Sequence, residues 1–174
     1  MVVRIANIYP NDVDVNGPGI RTVIFSQGCK HHCPYCFNKE TWDFDKGKEY
    51  DVSQINEIVK KNSVITDGVT LSGGDPFFQS QGFSLIAEYA KKLNLNVWAY
   101  TGFTFEQLLE LAKKEESVLL MLKNIDVLVD GKFEQAKKVK ENEREKYPFR
   151  GSKNQRMIDV SKSLEVKKTV LYKL

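Results

Sequence analysis

Cys29, Cys33 and Cys36 are all the cysteines of the chain, and they fall inside one stretch of eight residues, Cys29-Lys30-His31-His32-Cys33-Pro34-Tyr35-Cys36. A C-x3-C-x2-C spacing lets three thiolates converge on one metal centre within a single loop. Four-iron clusters kept for electron transfer normally take four thiolates, so a set of three leaves one iron open to another ligand. An open position separates a catalytic metal site from a structural one. The competing reading is a zinc knuckle with His31 or His32 as fourth ligand. On spacing alone the two readings stand even.

A second candidate is Ser72-Gly73-Gly74-Asp75-Pro76. Adjacent glycines let a backbone turn sharply and approach a ligand without a Cβ in the way. Asp75 adds an anionic acceptor suited to an ammonium group. The plainer reading is a turn between strand and helix, in which Asp75 caps a helix starting near Pro76. Taken alone, the plainer reading is favoured.

Both candidates need elements to position them. Val2 to Ile8 is a β-prone run, Tyr9-Pro10-Asn11-Asp12 is a turn signal, and Asp14 to Gly19 reads as a further turn. Ile20 to Ser26 is rich in β-branched residues, so a strand delivers the chain to the cysteine loop. Apolar residues at Ile55, Ile58 and Val59 predict a helix over Ser53 to Lys61, with Ser53 as cap. Val69 to Leu71 is a short strand running into the glycine turn, and Phe77 to Lys92 returns to helical spacing. Leu95 to Tyr100 and Ile125 to Val129 read as strands, with a helix capped by Thr104 between them. Lys132 to Lys146 reads as charged and partly helical, and the last strands are expected at Met157 to Val160 and Thr169 to Tyr172.

Strands alternating with helices, with the special residues just after the strands, describe an α/β fold with a parallel sheet. A complete eight-fold barrel needs about 250 residues. The 174 residues here predict one domain, 1–174, built as a partial, open (βα) barrel of about six parallel strands or as a short doubly wound sheet. With 41% hydrophobic residues, a core without disulfide staples is affordable, and three clustered cysteines favour a reducing compartment. The N-terminus lacks a signal-peptide pattern, and the longest apolar run, Val118 to Leu122, is far short of a membrane span. The expectation is a cytoplasmic protein with no membrane partner. A net charge of +3 does not argue for nucleic acid either. Between Lys132 and Arg156, however, nine Lys or Arg stand against four Glu. Their interleaving favours a solvated face, with a protein-docking surface as the sharper alternative.

The pairing of C-x3-C-x2-C with a Gly-Gly-acid-Pro turn resembles the radical S-adenosylmethionine enzymes. Asn16-Gly-Pro-Gly-Ile-Arg-Thr-Val-Ile-Phe-Ser-Gln-Gly-Cys29, Cys33 to Trp42 and Gly102 to Glu106 resemble their glycyl-radical activating branch. Ile125 to Phe133 and Phe149 to Asp159 resemble, within that branch, the activating proteins of anaerobic ribonucleoside-triphosphate reductases. The resemblance implies that Cys29, Cys33 and Cys36 hold a 4Fe-4S cluster whose open iron is chelated by S-adenosylmethionine. It places Ser72, Gly73, Gly74 and Asp75 at the methionine amino end, and Tyr35, Cys36 and Phe37 against the adenine. Asp130 and Lys132 complete the pocket; Asp75 stands where many relatives carry Glu.

The implied activity is reductive cleavage of S-adenosylmethionine to a 5′-deoxyadenosyl radical, which installs a glycyl radical on the large subunit of the reductase. A one-electron donor such as flavodoxin is implied as a further partner. Such chemistry needs no acid–base pair, and with the fourth iron position kept open for substrate, His31 and His32 are expected to be exposed loop residues. Trp42, Phe77 and Phe78 read as core. Arg150 to Arg156 is expected at the mouth or at the partner contact. The alternatives are an activase of another glycyl-radical enzyme, such as a formate lyase, and a zinc-binding adaptor.

Overall fold

The computed structural model describes residues 1–13 and 15–174, so Asp14, which opens one expected turn, lies outside the described residues. The elements run β1 (Val2–Val13), β2 (Ile20–Ser26), β3 (Lys48–Asp51), α1 (Val52–Asn62), β4 (Gly68–Gly73), α2 (Ser80–Lys92), β5 (Asn96–Tyr100), α3 (Phe105–Ala112), α4 (Glu116–Lys123), β6 (Val127–Asp130), β7 (Arg156–Asp159) and α5 (Val160–Val166). Among the described residues the strands form one seven-stranded sheet in the order β3-β1-β2-β4-β5-β6-β7. Strands β2, β4, β5 and β6 run parallel, and helices connect β4 to β5 and β5 to β6.

This is the expected open α/β class, but four strands are parallel in place of about six. The reason lies in the connections. A parallel pair needs a crossover of a dozen or more residues. The short link between β1 and β2 can only make a hairpin, and β7 also returns antiparallel to β6. Strand β1 runs on through the expected turn at Tyr9 to Asp12. Its register slips by one residue there, a bulge that accommodates Pro10. Thr169 to Tyr172 contributes an isolated bridge, Ile158 to Leu171, and no strand.

Alternation along the parallel strands builds two layers. Ile24, Leu71, Ala99 and Leu128 line up across the sheet in the main core, whereas Val23, Thr70, Trp98 and Val127 line up on the opposite face. Helices cover the first row. Helix α2 presents Phe83, Ile86, Ala87 and Ala90 to it, and α1 presents Ile55 and Val59. Each fully buried side chain of Leu, Ile or Phe size contributes about 1.5–3 kcal/mol relative to exposure. Helix α4 contains the Val118–Leu122 run and turns Val118, Met121 and Leu122 inward. Over the other face lie Trp98, Met157 and the partly buried Tyr100, Phe149 and Tyr172.

Two caps show how local chemistry sets the helix starts. Asp51, rather than Ser53, caps α1: its carboxylate accepts the Ser53 amide, and Gln54 reaches back to the Asp51 amide. Thr104 caps α3 with Gln107 in the reciprocal role. The charged stretch after β6 forms two single-turn 3-10 helices, at Gln135–Lys137 and Glu141–Glu143, in place of the expected longer helix. An antiparallel bridge between Lys138 and Ser152 folds it back on itself. No described helix is long and apolar enough to cross a membrane.

Candidate functional site

Because β2, β4, β5 and β6 are parallel, the four segments that leave their carboxyl ends share one edge of the sheet. They are the cysteine loop, the Gly73-Gly74-Asp75 turn, Thr101 to Thr104, and Asp130 to Lys132. Ligands of open α/β sheets bind at this edge. The loop closes on its own stem through Gly28 N–H to the Thr41 carbonyl (2.7 Å) and Cys29 N–H to the Trp42 carbonyl (3.0 Å). The turn is laced to the same stem: Gly74 N–H donates to the Ser26 carbonyl at 2.8 Å and Asp75 N–H to the Gly28 carbonyl at 3.0 Å.

Two glycines make that contact possible. Gly73 has φ +100°, and a Cβ there would lie 2.5 Å from the Ser26 nitrogen. A Cβ on Gly74 would lie 2.4 Å from the Gly28 carbonyl oxygen. The pair therefore brings backbone against backbone, joining turn and loop into one unit.

All three thiols are free; Cys29 and Cys33 are buried and Cys36 is half-buried. Burial pushes the Cys29 thiol up to about 11, against the pull of the His31 N–H toward the thiolate. Cys33 is raised by the same cause, opposed by the Phe133 N–H and the charge of Lys132. Among the described residues no three Cys, His, Asp or Glu side chains are drawn together as a formed metal site. The loop supplies three sulfur donors within eight residues.

The histidines divide. His32 is exposed and packs edge-on against Trp42 at 4.8 Å. His31 corrects the expectation of an exposed loop residue: its side chain is 8% exposed, and Nε2 lies 2.8 Å from Asp75 Oδ2. Its ring packs against Phe103 (4.6 Å) and Phe78 (5.3 Å). Phe78, expected as plain core, is therefore part of the wall at this edge.

Two acidic side chains also depart from expectation. Asp75 is fully buried and takes, besides His31, the Thr101 hydroxyl (2.8 Å), the Gly102 N–H (2.9 Å) and the Phe77 N–H (3.0 Å). Protein donors meet both carboxylate oxygens of this buried side chain, and the observed role is the plainer one, a cap for the turn Pro76–Gln79. Asp130 is 1% exposed, accepts the Phe105 N–H at 2.7 Å, and forms a salt bridge with Arg156, which also holds Glu106. Its carboxylate faces protein groups that converge from β7 and α3. Ser72 is buried, its carbonyl bonded to the Ser26 hydroxyl.

The remaining expected residues are accessible. Tyr35 and Phe37 are 66% and 61% exposed, with Lys39 over the Tyr35 ring at 5.8 Å. Phe133 meets the Phe37 ring at 4.9 Å, and Lys138 lies over it at 5.4 Å, so the folded charged stretch flanks this edge. Lys132 is exposed beside Cys33.

Against known proteins, a family model described as a 4Fe-4S single cluster domain matches residues 15–158. The anaerobic ribonucleoside-triphosphate reductase-activating protein of Enterobacteria phage T4 is 36% identical, over 86% of this chain and 90% of its own length. The protein of the same name from Vibrio cholerae is 35% identical over 84% of this chain and 92% of its own. The chain belongs to this family of activating proteins. The Escherichia coli K12 member is 33% identical over 73% of the chain and 82% of its own length. A solved structure, QueE from Escherichia coli, superposes with TM-score 0.50 at 17% identity, over 60% of this chain and 54% of that one, a likeness of fold.

The donor chemistry of this activating-family chain fits an iron–sulfur group. It offers three sulfurs on one loop, no disulfide, and a nearby Lys132 that favours thiolate. Buried thiolates are tenable when a cation compensates them. The match to a 4Fe-4S single cluster domain over residues 15–158 favours iron–sulfur over a closed zinc site at these thiols. Sequence reasoning missed Thr101, Gly102 and Arg156 as partners of the two buried acids. The signal available was Thr101-Gly102 following a strand, the same position relative to the sheet as the cysteine loop and the glycine turn.

Proposed function

We propose that this chain is a radical S-adenosylmethionine activase that generates a glycyl radical on the large subunit of an anaerobic ribonucleoside-triphosphate reductase. The observation that carries the reading is a three-thiol loop tied by backbone hydrogen bonds to the Gly73-Gly74 turn at the carboxyl edge of the sheet. Cys29, Cys33 and Cys36 would hold a 4Fe-4S cluster. When bound, the cluster and S-adenosylmethionine supply one-electron cleavage of the sulfonium and a 5′-deoxyadenosyl radical.

The chain's own residues bind and orient. The amides of Gly74 and Asp75 point into the loop stem, so the carbonyls of Gly73 and Gly74 are the groups suited to accept an ammonium. Tyr35 and Phe37 offer exposed aromatic surface to the adenine, with Lys132 alongside. Asp75 and Asp130 support the edge from within. A partner protein would cover the open mouth and exclude water from it. A one-electron donor such as flavodoxin, in a reducing cytoplasm, completes the system.

The test is to mix the anaerobically reconstituted, reduced protein with S-adenosylmethionine and the reductase large subunit, and to record electron paramagnetic resonance. A glycyl-radical doublet is expected, from a preparation holding about four iron and four sulfide per chain. Stoichiometric zinc without iron, or no cleavage of S-adenosylmethionine by the reduced protein, would overturn the reading.

A further inference from the structure

His31 is the most confined side chain of the cysteine loop outside the thiols, and nothing in the proposed chemistry uses it. Its ring enters a slot between Phe78 and Phe103. The slot exists because residue 102 is glycine: a Cβ there would come within 2.4 Å of His31 Cδ2. At the end of the slot Nε2 is placed to donate to Asp75 Oδ2 at 2.8 Å. The same oxygen accepts the Thr101 hydroxyl and the Gly102 N–H, at 2.8 and 2.9 Å. The segments leaving β2, β4 and β5 are thus tied at a single buried carboxylate. A histidine that merely filled an apolar gap would need no acceptor there.

We propose that the His31–Asp75 pair is a clasp that fixes the cysteine loop and, through it, sets the hydrogen-bonding environment of the Cys29 sulfur, making His31 a positioning residue for cluster reduction. This rests on the iron–sulfur reading above. His31 lies two residues from Cys29 and two from Cys33, so its backbone is the stretch of loop that joins two of the three sulfurs. Donors to cluster sulfurs favour the reduced state. A ring held at its tip and packed by two phenyl rings leaves the backbone at residue 31 little freedom to shift its N–H relative to the sulfurs.

Two substitutions separate the contributions. His31→Phe keeps an aromatic ring for the slot and removes the donor to Asp75. His31→Gln keeps an N–H able to reach the carboxylate. The first readout uses the full chain before any iron is loaded. Amide hydrogen exchange over residues 28–37 should quicken about tenfold in His31→Phe and return toward wild type in His31→Gln.

The second readout is an electron-paramagnetic-resonance redox titration of the reconstituted proteins. His31→Phe should be harder to reduce by about a factor of ten in the reduced fraction, about 59 mV for one electron, with His31→Gln between. Unchanged exchange in His31→Phe overturns the clasp, whether or not any chain binds iron. Faster exchange with an unchanged midpoint overturns the tuning. A wild-type chain that takes zinc and no iron overturns the functional reading and the tuning together, and the exchange result alone then decides the clasp.

Discussion

Replacing Gly74 by alanine tests whether turn and cysteine loop are one unit. Its φ is not in the left-handed region, so the substitution carries a steric cost with no backbone penalty added. The new methyl would stand 2.4 Å from the Gly28 carbonyl oxygen, 2.8 Å from its carbon and 2.9 Å from the Thr41 oxygen. These are backbone atoms, linked to each other by the 2.7 Å bond from Gly28 to Thr41, and none can swing aside. The turn must back away, stretching the 2.8 and 3.0 Å bonds that Gly74 and Asp75 donate to Ser26 and Gly28. Overpacking of this kind costs about 1–3 kcal/mol, and a weakened hydrogen bond adds about 1 kcal/mol. An intermediate total of about 2–3 kcal/mol lowers the melting temperature of a chain this long by roughly 5–10 °C. Thermal and urea unfolding of the iron-free protein under reductant measure this, and iron analysis after reconstitution should show reduced cluster retention. Gly74→Ala unfolding within about 0.5 kcal/mol of wild type, with full iron content, would refute the reasoning, because that is the effect of a surface substitution far from such contacts.

Other expectations follow from the same geometry. Arg156→Met leaves Asp130 buried with only the Phe105 N–H as partner, and should cost about 2–4 kcal/mol in urea unfolding at neutral pH. Hydrogen bonds from Arg156 hold the Glu106 carboxyl at about 2, below its ordinary 4.5. A depressed acid contributes stability that is complete above the ordinary value and drains as pH falls through it toward 2. The wild-type urea midpoint should therefore fall over that window, and Arg156→Met should lose this part of the acid limb. At the alkaline end the sign reverses: the Cys29 thiol, raised from 9 to about 11, makes the iron-free fold lose stability as pH rises between those values. Alkylation of the native iron-free chain should label half-buried Cys36 well before buried Cys29 and Cys33, as mass spectrometry of timed samples would show. Cys33→Ala should abolish cluster-dependent cleavage of S-adenosylmethionine while the far-ultraviolet dichroism stays close to wild type; retained full activity would contradict the ligand assignment.

Much of the fold was readable where neighbours along the chain decide the outcome. The β-branched run Ile20–Ser26 is β2 at the expected limits, Thr104 caps α3, and the thiol spacing and the glycine turn each follow a strand, because side-chain sterics and capping act within a few residues. Contacts between distant segments decided the rest. Pro10 looks like a turn in sequence, yet pairing with β2 carries β1 past it as a bulge, and the edge strand β3, which no run of β-formers announces, exists because β1 offers it a ladder. The acids show the division most clearly. An aspartate after two glycines can serve a ligand or, as the turn alone favours, a protein donor, and the family resemblance pointed to the ligand. Asp75 turned inward because Thr101, Gly102 and His31 arrive from two other strands to meet it, and Asp130 because Arg156 comes back on β7. A buried carboxylate is stable only where enough donors converge, and that convergence is a property of the folded sheet edge.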